Sequence, residues 1–72
     1  MKKINIVTEY IKLGQLLKLV GEISSGSDAK VYLEENPIYV NGELEQRRGR
    51  KIYPGYSVII NKDEYIIEND QN

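Results

Sequence analysis

The sequence predicts an α+β fold: two short packed helices against a small twisted antiparallel sheet. Three observations predict it. Apolar residues recur at helical spacing in the first half, Leu13, Leu16, Leu17 and Val20, then Ala29, Tyr32 and Leu33. From Ile38 onward the apolar period becomes two. Asn41-Gly42 and Pro54-Gly55 are turn pairs that cut this second half into short strands.

The elements follow in order. Ile4-Asn5-Ile6 alternates apolar and polar, which predicts a strand over residues 3–7. The leucine stripe predicts a helix over about residues 11–20, closed by Gly21 in the left-handed conformation. Ser25-Gly26-Ser27-Asp28 has the form of a capping box, serine closing one orphan amide of a second helix and the carboxylate another. Asn36-Pro37 stops that helix, because a residue before proline avoids helical dihedrals. About four residues join the helices, so they are expected to pack as a helical hairpin. Beyond them, Ile38 and Val40 lead into the Asn41-Gly42 hairpin with Leu44 on its return strand. Pro54-Gly55 fits a type II turn, and residues 57–60 and 64–68 form a hairpin about Asn61-Lys62-Asp63. The expectation is a single domain over residues 1–72, with 69–72 as a frayed acidic tail.

Composition excludes several functions. The chain has 72 residues and neither cysteine nor histidine, which removes disulfides, the usual zinc ligand sets and any Ser–His or Cys–His nucleophile. The carboxylates form no spaced pair for acid–base work. The expectation is therefore a protein that is not an enzyme and needs no cofactor or metal. No apolar run approaches a membrane span, and Met1-Lys2-Lys3-Ile4-Asn5 lacks the apolar stretch of a signal peptide, so a cytoplasmic protein without membrane contact is expected.

Net charge is −1, but its distribution is uneven. Residues 1–42 balance to zero, whereas Arg47, Arg48, Arg50 and Lys51 put four positive charges into five residues. All three arginines lie in that run although lysine is the commoner cation, and a guanidinium grips phosphate through two hydrogen bonds where an ammonium cannot. A regular strand would send Arg47 and Lys51 to one face and Arg48 and Arg50 to the other, so convergence requires a bend, for which Gly49 is placed. The plainer reading is a charged edge strand that discourages aggregation. A second candidate is the start of the second helix, where Ser25 and Ser27 offer hydroxyls and backbone amides and Lys30 lies one turn on. Asp28 opposes an anion there. Of six tyrosines, Tyr53 beside Lys51 is the candidate for base stacking, and the others read as core-edge residues.

Together these residues resemble the S-four RNA-binding domain, named after the fourth protein of the small ribosomal subunit, over roughly residues 12–60. Lys12-Leu13-Gly14-Gln15-Leu16-Leu17 stands where the family has a basic residue, Leu, Asp, Lys and two apolar residues. Ser25-Gly26-Ser27-Asp28-Ala29-Lys30 stands where it has Ser-Arg-x-x-Ala-Lys, so Gly26 replaces an RNA-contacting arginine. Ile38-Tyr39-Val40-Asn41-Gly42 matches the family hairpin, and residues 52–58 match its Pro-Gly close with Tyr56 in place of aspartate. Glu43-x-Glu45-x-Arg47-Arg48-Gly49-Arg50-Lys51 together with Leu13-Gly14-Gln15 further resembles a small stand-alone branch, the YaaA-like proteins. The resemblance implies a monomeric, non-catalytic module that binds structured RNA, ribosomal RNA first, and takes no small-molecule substrate. Arg47, Arg48, Arg50, Lys51 and Lys30 would contact phosphates, with Ser25 and Ser27 as neutral donors and Lys12 and Gln15 extending the surface along one helical face. The rival is a protein-interaction module whose arginines meet an acidic protein surface.

Overall fold

Strand β1 (Lys2–Ile6) opens the fold, and β2 (Ile11–Lys12) runs directly into helix α1 (Leu13–Leu19), in a computed structural model that describes residues 1–69. A 3-10 turn (Gly26–Asp28) then leads into helix α2 (Ala29–Glu35). Strands β3 (Ile38–Val40), β4 (Glu43–Glu45), β5 (Lys51–Ile52), β6 (Ser57–Ile60) and β7 (Asp63–Asn69) complete the order. Five strands form one sheet in the order β1-β7-β6-β3-β4, and β2 and β5 form a separate two-stranded ribbon.

The α+β class and its hairpins follow the sequence pattern, but the sheet is mixed rather than wholly antiparallel. β1 adds to β7 in parallel, with Lys2 opposite Tyr65 and Ile6 opposite Asn69. Parallel neighbours need a long crossover, and here nearly the whole domain lies between the two strands. Alternation within a strand marks its buried face but carries nothing about the direction of its partner. Asn69 therefore ends a paired strand rather than a frayed tail, and residues 70–72 lie outside the described residues.

Both helices cover one face of the sheet. Leu13, Leu16 and Leu17 of α1 and Leu33 of α2 pack on Ile38, Val40, Val58, Ile60 and Ile67, all essentially inaccessible to water. Burying each such side chain contributes about 1.5–3 kcal/mol, so this cluster carries the fold. Gly21 closes α1 in a left-handed conformation (φ 85°). Its N–H donates to the Lys18 carbonyl at 3.1 Å and that of Glu22 to Leu17 at 2.9 Å, the paired bonds of a Schellman motif.

The expected capping box at Ser25 does not form. The 3-10 turn brings the Asp28 N–H to the Ser25 carbonyl at 3.1 Å, so the backbone satisfies that amide itself. The Ser25 hydroxyl pairs with that of Ser27 (2.9 Å) and lies 3.3 Å from the Asp28 carboxylate. Across the domain, the Tyr32 hydroxyl donates to Glu22 (2.7 Å) and the Asn61 amide donates to both (2.9 and 3.1 Å). That network ties the loop after α1 to the turn between β6 and β7. Burial, then the bond to Glu22, pushes the Tyr32 hydroxyl up to a pKa of about 12.

Candidate functional site

The basic run is a loop, residues 46–50, folded against the start of α1. Two backbone bonds make the seam: Leu13 N–H donates to the Arg50 carbonyl and Gly14 N–H to that of Arg48, both at 2.9 Å. At a helix start these amides have no partner within the helix, so the loop supplies what a capping side chain otherwise would. Position 14 leaves room for little more than one carbon beside the loop. A Cβ there would lie 3.4 Å from the Arg48 carbonyl oxygen and 3.5 Å from the Ala29 Cβ. The loop turns at Arg48-Gly49, where the Arg50 N–H reaches the Arg47 carbonyl at 3.2 Å.

Glu45, at the end of β4, organises this loop from within. Its carboxylate is buried and accepts five hydrogen bonds. The backbone N–H groups of Gln46 (3.1 Å) and Arg47 (3.0 Å) donate to it. So do Arg47 through Nε (2.9 Å) and Nη2 (3.0 Å), and Arg50 through Nη1 (2.7 Å). Arg47 hydrogen bonding leads the causes that hold its pKa down to about 2, against an ordinary 4.5. Arg50 is correspondingly drawn in, lying 5.9 Å from the Tyr56 ring, whereas Arg47 keeps most of its side chain in solvent.

Arg48 points the other way, into an open groove of about 290 Å³ between the loop and α1. Lys12, Gln15 and Lys18 line it from the helix side, Arg48 and Gly49 from the loop, and Gly14 and Gly26 at the level of the backbone. The Arg48 guanidinium lies 3.5 Å from the Gly26 carbonyl. The Gln15 side-chain oxygen accepts the Lys12 N–H at 3.2 Å, which leaves its amide donors for the groove. Three cations and no carboxylate line this cleft. Lys12 and Lys51 also stand directly opposite each other across the β2–β5 ribbon, a like-charge pairing that is unfavourable until an anion joins it. Glu22, Asp28 and Glu35 instead line a separate depression with Val31 and Tyr32, so the two signs of charge are kept apart.

The residues singled out from the sequence thus divide. Lys12, Gln15 and Arg48 come together in the groove, while Arg47 and Arg50 meet at Glu45. Lys51 lies with its ammonium 5.0 Å from the Tyr10 ring. Lys30 is exposed on α2 but does not line the groove, and the hydroxyls of Ser25 and Ser27 are engaged with each other. Tyr53 sits between Tyr10 and Tyr56, ring centroids 5.6 and 5.8 Å away, so neighbours flank it on both sides. Sequence reasoning missed Lys18, and it placed Gly14 and Glu45 in a motif without giving either a role. Lys18 was accessible from spacing, since it lies three residues beyond Gln15 on the same helical face. Glu45 gave a weaker signal, a carboxylate two residues before Arg47 at the end of a strand.

Among the described residues no cluster of three or more aspartate, glutamate, histidine or cysteine side chains is placed to hold a metal ion. None of the helices among them is long and apolar enough to cross a membrane.

Comparison with known proteins places this arrangement in context. Residues 4–68 match a family model described as the S4 domain. A Bacillus subtilis (strain 168) protein named "Probable ribosome maturation protein RlbA" is 54% identical over 52 residues, which cover 72% of this chain and 73% of that one. An Escherichia coli (strain K12) protein named "Putative RNA-binding protein YbcJ" is 39% identical over 49 residues, covering 68% and 70%.

Proposed function

The chain belongs to the S4 domain family, and on that premise we propose that it is a non-catalytic module binding structured RNA in the groove between α1 and the basic loop. The observation that carries this reading is the groove itself, where Lys12, Lys18 and Arg48 converge without an opposing carboxylate. A guanidinium and two ammonium groups around a glycine-lined cleft fit a ridge of phosphates, and A-form RNA is recognised mainly through such backbone shape. Arg47 adds outward donors, because its contacts with Glu45 leave most of the side chain exposed. Lys51, Lys30 and the serines flank this surface as further contacts. The names of the two relatives point the same way, and the one concerned with ribosome maturation makes ribosomal RNA the first target to test.

The test is binding to a structured ribosomal RNA fragment across a salt series. With Lys12, Lys18, Arg48, Arg47, Lys51 and Lys30 on phosphates, log K against log salt has a slope of roughly −4 to −5.5. The combined variant Lys12→Ala/Lys18→Ala/Arg48→Ala retains a slope of roughly −2 to −3, since three of the six contacts are gone. A flat slope for the unaltered protein overturns the reading. Binding that survives nuclease and follows an acidic protein instead would assign the arginines to a protein partner.

A gain of affinity is expected at Gly26. A Cβ there meets nothing within 4 Å, so a side chain can leave the backbone at this position without a clash at its first carbon. Gly26→Arg is expected to steepen the salt slope by about one phosphate contact and to tighten binding at low salt. A titration in parallel with the unaltered protein checks both.

A further inference from the structure

The groove does not end at Gln15 and Lys18. On the other flank of these two residues lies a second depression of about 510 Å³, lined by Thr8, Ile11 and Leu19 together with them. The two lobes share a wall and differ in chemistry. The first is lined by three cations, Gln15 and glycine backbone, whereas the second sets Ile11 and Leu19 beside Thr8, Gln15 and Lys18. Leu19 is 59% exposed, which holds a large apolar surface in water at the rim.

Resting on the RNA-binding reading, we propose that this second lobe receives a single unpaired base of the same RNA, next to phosphates held in the first lobe. A phosphate ridge gains nothing from Leu19 and Ile11, and a continuous A-form helix offers no base face to cover them. An unstacked base offers both a flat apolar face and a polar edge. The polar groups needed for that edge are present. The Gln15 side-chain oxygen is engaged by the Lys12 N–H, leaving its amide hydrogens as donors. The Thr8 hydroxyl donates to the Tyr10 carbonyl at 2.8 Å, leaving its oxygen as an acceptor. Lys18, on the shared wall, keeps an anionic chain at the junction. The RNA that fits is therefore a helix interrupted by a bulged or looped nucleotide rather than an unbroken duplex.

The experiment compares three RNA hairpins by fluorescence anisotropy: fully paired, with one extra unpaired nucleotide, and with an abasic site in place of that nucleotide. The bulged hairpin is expected to bind about fivefold more tightly than the other two, as covering a few tens of Å² of apolar surface on Ile11 and Leu19 would give. Leu19→Ser, at an exposed position that tolerates polarity, should abolish this preference while leaving the salt slope and the affinity for the paired hairpin unchanged. Equal affinity for paired and bulged hairpins, both with steep salt dependence, overturns the base pocket and leaves the RNA-binding reading standing. So does a preference shared by the abasic hairpin or retained by Leu19→Ser. Absence of salt-dependent binding to all three overturns both.

Discussion

Glu45→Gln is expected to destabilise the domain by about 2–3 kcal/mol at pH 7, because hydrogen bonds to a charged group each contribute about 1.5–3 kcal/mol and several are lost or weakened together. For a domain of this size that lowers the melting temperature by roughly 10–20 °C, read by thermal circular dichroism. Glutamine keeps the shape but presents N–H groups toward Arg47 and Arg50, which have only donors of their own. The cost also depends on pH in a defined direction. Glu45 is held at a pKa of about 2 in the folded protein and titrates near 4.5 when unfolded. Its contribution is therefore complete above about pH 4.5 and is lost as pH falls from there toward 2. The gap in stability between the unaltered protein and Glu45→Gln should narrow over that interval. A variant that melts with the unaltered protein at pH 7 would show that the loop folds without its carboxylate.

Gly14→Val is expected to cost a similar amount, about 2–3 kcal/mol, and to remove RNA binding with it. A Cβ at this position already touches the Arg48 carbonyl oxygen and the Ala29 Cβ at 3.4–3.5 Å, so two further methyl groups are expected to crowd the seam. Overpacking of this kind typically costs about 1–3 kcal/mol, and the backbone bonds from Leu13 and Gly14 to the loop are weakened as the elements separate. Arg48 then no longer faces Lys12 and Lys18 at groove width. Gly14→Ala is the control. Its single methyl group meets ordinary contacts, and its gain in helix propensity of up to about 1 kcal/mol offsets the crowding. Melting curves and RNA titrations of both variants distinguish the outcomes. Gly14→Val with undiminished binding would mean that the loop need not rest on α1.

Local chemistry was legible in the sequence wherever one residue type decides a conformation. Gly21 closes α1, Asn41-Gly42 turns between β3 and β4, and the Tyr56 N–H bonds the Tyr53 carbonyl around Pro54-Gly55 as a type II turn requires. The apolar period likewise marked the side of each helix and strand that is buried, since that side depends only on spacing along the chain. The bend at Arg48-Gly49 also follows from local sequence. The Ser25 capping box failed because the backbone can satisfy the same amide through a 3-10 turn, an alternative that composition does not distinguish.

What the sequence determined by itself is the α+β class, the turns, the buried faces and the presence of one concentrated basic segment. Tertiary structure alone decided that β1 pairs with β7 in parallel, that Glu45 takes Arg47 and Arg50, and that Arg48 is left to face Lys12 and Lys18. The reason is physical. Which cation finds a carboxylate and which faces open water depends on distances between segments far apart in the chain. Those distances are set by packing of the core, to which the charged residues contribute almost nothing.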